Sequence, residues 1–146
     1  MKKLLIQSFL LLFSMLVNAQ VSFRYPTYPG CEKKKDNDEL KDCFYTKLRY
    51  ELTDNLGTNL EQYWTDNIDN KKVSLVFTIS KEGKVKDYSY TPDSNTNAAV
   101  NFLKQINKLS KYYESKGKKF KPAFSNGKPI DYTINLSFTY DGRMLD

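Results

Sequence analysis

A chain of 146 residues with a formal charge of +6 has room for one domain with one core and is too short for two. It holds no histidine and only two cysteines, so it lacks the usual general base at neutral pH and makes a poor metal cage. No nucleophile motif, metal-ligand set or phosphate loop stands beside them, and the composition points away from an enzyme and from any cofactor.

The first residues have the layout of a secretory signal. Lys2 and Lys3 form a basic start, an apolar stretch of about 14 residues runs from Leu4 to Val17, and Val17-Asn18-Ala19 supplies the small-residue pattern for cleavage after Ala19. The stretch is shorter than the roughly 20 residues that cross a bilayer, and no cysteine follows it to accept a lipid. Residues 1–19 are expected to be removed, an uncleaved anchor being the alternative. The mature chain is then an exported protein, placed in the periplasm, peripheral to the envelope and not membrane-spanning. Nucleic acid is not an expected partner there. The positive excess gathers at Lys111, Lys116, Lys118, Lys119 and Lys121, which reads as a solvated lysine-rich loop.

From Val21 to Gly30 the chain is extended and turn-rich, since Pro26, Pro29 and Gly30 do not fit a helix interior. Asp36, Asn37 and Asp38 then offer capping oxygens, and Leu40, Cys43, Phe44, Leu48 and Leu52 recur at spacings of three and four. The pattern predicts an amphipathic helix over 38–54. Cys31 and Cys43 are an isolated pair. In an oxidising compartment they are most simply a disulfide, which would stabilise the fold by roughly 3 kcal/mol; two unpaired thiols or a metal site are the alternatives. Leu60, Tyr63, Trp64 and Ile68 suggest a short helix after an irregular stretch.

Val73, Leu75, Phe77 and Ile79 alternate with Ser74, Val76 and Thr78, the mark of a strand with one apolar face. Glu82-Gly83 supplies a turn, and Val85, Tyr88 and Tyr90 continue in a second strand with slightly uneven alternation. Ala99, Phe102, Leu103, Ile106, Leu109 and Tyr113 mark a second helix over 96–115, ended by Gly117. Adjacent on it, Tyr112 and Tyr113 cannot both face the core. Asn126-Gly127 is a strong two-residue hairpin signal. After it, Ile130, Tyr132, Ile134, Leu136, Phe138 and Tyr140 alternate with polar residues along one long strand. The order α-β-β-α-β fits an α+β sandwich of two layers, a three-stranded antiparallel sheet with two helices on its apolar face.

Several of these stretches together resemble the C-terminal domain of TonB energy transducers, of the kind common in Bacteroidetes. They are Tyr25-Pro26-Thr27-Tyr28-Pro29-Gly30-Cys31-Glu32, Cys43-Phe44, Glu82-Gly83-Lys84-Val85, and the run Phe120-Lys121-Pro122-Ala123-Phe124-Ser125-Asn126-Gly127-Lys128-Pro129-Ile130 leading into the last strand. The resemblance spans about residues 25–140. It implies a periplasmic domain, residues 37–141 behind a lead-in of 20–36 and ahead of a tail of 142–146. Such domains bind the short TonB box of outer-membrane transporters by pairing it with the last strand. Two departures stand out. The domain begins within ten residues of the signal, without the anchor and proline-rich spacer through which a transducer passes force. The Tyr-Pro common after the family's first helix is replaced around Tyr63-Trp64-Thr65.

A small sheet has edges whose unpaired N–H and C=O groups accept a strand from another chain. The candidate peptide site is therefore the last strand, Asp131, Tyr132, Thr133, Ile134, Asn135, Leu136 and Ser137, with a segment of a TonB-dependent transporter as the expected partner. The alternative is a structural or assembly component of an envelope complex that uses the same fold for docking and covers that edge with its own N-terminal segment.

Overall fold

The computed structural model describes residues 22–54 and 71–139. In chain order they form β1 (Phe23–Arg24), α1 (Asn37–Asp54), β2 (Lys72–Ile79), β3 (Val85–Tyr90), α2 (Thr96–Ser115), β4 (Ala123–Ser125), β5 (Lys128–Ile130) and β6 (Tyr132–Thr139). The expected signal segment, the expected helix around Leu60 to Ile68, Tyr140 and the tail lie outside the described residues. No helix among the described residues is long and apolar enough to cross a membrane.

The helix starts follow from local hydrogen bonding. The carboxylate of Asp36 accepts from the N–H groups of Asp38 and Glu39, at 2.8 and 3.3 Å, which satisfies donors that the first turn leaves unpaired. Leu40, Phe44, Leu48 and Leu52 then fall four residues apart on one buried stripe. Asn95 caps α2 by accepting from Ala98 N–H at 3.0 Å, and Ala98, Ala99, Phe102, Ile106 and Leu109 form its buried face. At the far end Gly117 takes φ 66°. That conformation lets Lys118 N–H reach the Tyr113 carbonyl at 2.8 Å and Gly117 N–H reach that of Glu114 at 3.0 Å, a closing pair that favours glycine.

The principal sheet is antiparallel in the order β3-β2-β6. Its register runs without a break from Lys72 opposite Thr139 to Ile79 opposite Tyr132. Val73, Leu75, Phe77, Ile79, Ile134 and Leu136 are buried on one face, in the same core as the stripes of α1 and α2. The pairing of β2 with β3 is less regular. Val76 faces Ser89 and Thr78 faces Lys86, so β3 advances one residue further than β2. Asp87 takes up the extra residue at φ 54°, a β-bulge. The bulge explains the uneven spacing of Val85 and Tyr88.

A second antiparallel sheet, β1-β4-β5, lies beyond the single sheet expected from the pattern. Its hairpin turns at Asn126-Gly127, both at positive φ (50° and 75°), as a two-residue turn of this type requires. The lead-in joins the hairpin: Phe23 pairs with Ser125, Arg24 with Phe124, and Thr27 with Lys121. The side chain of Asn37 continues the stitching, accepting from Tyr25 N–H at 2.7 Å and donating to the Phe23 carbonyl at 2.6 Å. Tyr25 and Tyr28 are buried. Cys31 and Cys43 are joined in a disulfide with Cα atoms 6.1 Å apart, which ties the lead-in to α1.

The long strand expected over 130–140 is divided at Asp131. Residues 128–130 belong to the second sheet and residues 132–139 to the first.

Candidate peptide-binding edge

In an antiparallel sheet the N–H and C=O of one residue point to the same side, and successive residues alternate. Ser74 donates its N–H to Ser94 Oγ and accepts from Thr91 N–H, and the Lys72 carbonyl accepts from Asn95 N–H. These residues of β2 thus turn away from β6, and Val73, Leu75, Phe77 and Ile79 turn toward it. Their partners Phe138, Leu136, Ile134 and Tyr132 spend their backbone groups on β2. Thr133, Asn135, Ser137 and Thr139 point theirs outward, where no strand among the described residues pairs with them.

The seven residues read from the sequence divide accordingly. Thr133, Asn135 and Ser137 present backbone groups at the outer edge, with exposed side chains. Tyr132, Ile134 and Leu136 face inward. Asp131 stands before the strand, its carboxylate accepting from Lys86 Nζ at 2.7 Å and from Lys81 N–H at 2.7 Å. The hydrogen bond from Lys86 and that from Lys81 hold this carboxyl below the usual range, and Lys86 is raised by the same contact. Asp131 thus clasps the β2–β3 hairpin to the point where the chain changes sheets.

One residue beside the edge carries no signal in the sequence. Tyr45, next to the buried stripe of α1, donates its hydroxyl to the Asn135 carbonyl at 3.0 Å. Its ring lies 6.5 Å from that of Tyr25 and 6.1 Å from that of Phe44. The phenol of Tyr25 is pushed far up, first by burial and then by the neighbouring Tyr45 hydroxyl. At the start of β6, Tyr132 packs against Phe23 at 5.6 Å and Tyr25 at 5.2 Å, and Phe23 stays 38% exposed. An aromatic rim therefore runs along the first half of the edge.

The other sheet margins differ. β3 carries the bulge at Asp87 and the exposed Lys86, with the exposed Lys84 just before it, features that obstruct pairing. In the second sheet, β5 is three residues long and includes Pro129, which has no N–H to give.

Two remaining features lie elsewhere. Glu51 accepts from the hydroxyls of Tyr28, at 3.0 Å, and Tyr113, and both phenols are raised, chiefly by burial and next by Glu51. A shallow groove beside this cluster is lined by Glu51, Gln105, Lys108, Leu109, Tyr112 and Tyr113. Tyr112 is the one of the tyrosine pair that faces outward, 55% exposed. Lys111, Lys116, Lys118, Lys119 and Lys121 are all exposed, as a solvated run should be.

Comparison with protein-family models, with curated proteins and with solved structures found no match.

Proposed function

We propose that this chain is an exported, TonB-like binding module that captures an extended peptide by strand addition along the outer edge of β6. Thr133, Asn135 and Ser137 supply the main-chain donors and acceptors, and the aromatic rim of Phe23, Tyr45 and Tyr132 meets side chains of the bound strand. The partner is a segment of a periplasm-facing protein, in the first place the TonB box or plug of a TonB-dependent outer-membrane transporter. The mode is that by which other domains add a peptide to an open sheet: backbone hydrogen bonds give the affinity and side chains the selection.

The observation that carries this reading is the contrast between the edges. β6 is eight residues long, regular in register and free of bulge, proline and charged side chains. Natural sheets ordinarily protect such an edge. The lead-in, which could have covered it, pairs with β4 instead.

Titration of the isotope-labelled domain with TonB-box peptides tests the proposal. Amides from Thr133 to Thr139 should shift first and saturate. Because the Asn135 N–H points outward, Asn135→Pro removes an edge donor without breaking the ladder to β2. It should abolish binding with little change in thermal midpoint. Saturable shifts confined to Lys116–Lys121 would refute the site in favour of an electrostatic partner.

A further inference from the structure

We infer that the Tyr45 hydroxyl is a resident occupant of the peptide edge, standing where an incoming strand would place a backbone N–H, and that it must leave Asn135 for the edge to pair along its length. The inference rests on the strand-addition reading above and adds its regulation.

Asn135 is the middle member of the outward row Thr133, Asn135 and Ser137, so an added strand has to use its carbonyl. An N–H donor bound there would lie about 2.9–3.0 Å from the oxygen. The Tyr45 hydroxyl already sits at 3.0 Å. It comes from α1, ninety residues away in sequence, so the contact is tertiary and not a by-product of local backbone geometry. The peptide N–H and the hydroxyl compete for this one oxygen, and the free energy of binding is reduced by whatever part of the Tyr45 bond is given up.

The displaced group has somewhere to go. The Tyr45 ring is only half-buried among its aromatic neighbours, and its bond to Asn135 lies in an exposed setting. A small rotation can move the oxygen off Asn135 and into water, so opening leaves no buried hydroxyl unsatisfied. In the free protein the same contact shields the centre of the edge from pairing with another copy of the sheet, a protection that no other strand among the described residues gives β6.

Tyr45→Phe deletes the oxygen and keeps the ring. The expected result is a folded variant that binds the same peptide roughly two- to ten-fold more tightly, the range an ordinary hydrogen bond is worth, with shifts still centred on Thr133–Ser137. Equal or weaker binding by Tyr45→Phe, with the wild type still binding at β6, would overturn the inference and leave the strand-addition reading intact. No shift at β6 in either protein would overturn both. Should Tyr45→Phe unfold, 3-fluorotyrosine at position 45 serves in the otherwise unaltered chain. Its fluorine resonance must move when the peptide saturates the edge, and an unmoved resonance at saturation counts against displacement.

Discussion

Gly83 and Phe120 meet with no space for a side chain between them: a Cβ built on Gly83 would lie 2.1 Å from the Phe120 carbonyl oxygen. The β2–β3 turn is thereby closed against the segment that leads into β4. Gly83 also holds φ 78°, so the position excludes other residues twice over, by backbone conformation and by contact. Gly83→Ala should lower stability by about 2–4 kcal/mol in denaturant titration. Gly117→Ala, at φ 66° with open space around it, should cost about 1 kcal/mol. Equal losses would mean that the close approach to Phe120 carries no weight.

The Cys31–Cys43 bond should be complete in protein isolated without reductant. Alkylation without reductant, followed by intact-mass analysis, should label neither cysteine. Replacing both by serine should cost about 3 kcal/mol, since the cross-link restricts the unfolded chain over a short loop. Two labelled thiols in native material would contradict the pairing.

On β6 the two faces should separate by energy. Leu136 is buried against Leu75, and Leu136→Ala should cost about 2–5 kcal/mol. Thr133 is exposed, its hydroxyl 3.5 Å from that of Thr78, and Thr133→Ala should change stability by no more than about 0.5 kcal/mol. Denaturant midpoints at constant slope make the comparison.

Asp131 gives the clasp a pH signature. Its carboxyl titrates below the usual range because Lys86 and the Lys81 N–H favour the charged form. A carboxyl depressed on folding contributes stability above its unfolded pKa of about 3.9 and loses it as pH falls through the folded value. The stability difference between wild type and Asp131→Asn should thus be steady from pH 5 to 7 and shrink below about pH 4. A difference that persists unchanged at pH 2 would mean the charge is irrelevant. The carboxyl resonance of Asp131, followed by NMR, should show the depressed midpoint directly.

Where the sequence was legible, a repeated local rule made it so. The stripes of α1 and α2 follow from spacings of three and four, the halt at Gly117 from the left-handed residue a helix end uses, and the β4–β5 turn from Asn126-Gly127. The second sheet had no such rule, because strands of two and three residues are too short to display a period. Nor could alternation reveal the division at Asp131. Ile130, Asp131 and Tyr132 keep the two-residue rhythm while the chain passes from one sheet to the other, and the clasp that marks the passage comes from residues about fifty positions away. Of the edge itself, the polar face was readable and the direction of each N–H was not, since that depends on which side β2 occupies. Tyr45 stayed hidden for a similar reason: beside Phe44 it looks like one more aromatic on a helix.

The stitching of the lead-in to β4 also sets an order of events in synthesis. Ser22 and Asn126 are bonded across 104 positions, so the second sheet cannot begin until most of the chain has been made. Contacts between such distant positions carry the largest closure cost and come slowly. The disulfide and α1 need only residues 31–54 and can form long before. Between those moments Tyr25 and Tyr28 have no Phe120 or Tyr132 to pack against, and the first strand offers an unsatisfied ribbon with an aromatic face. The nascent domain is therefore most exposed to misassociation at its beginning, and the last segment to emerge protects the first.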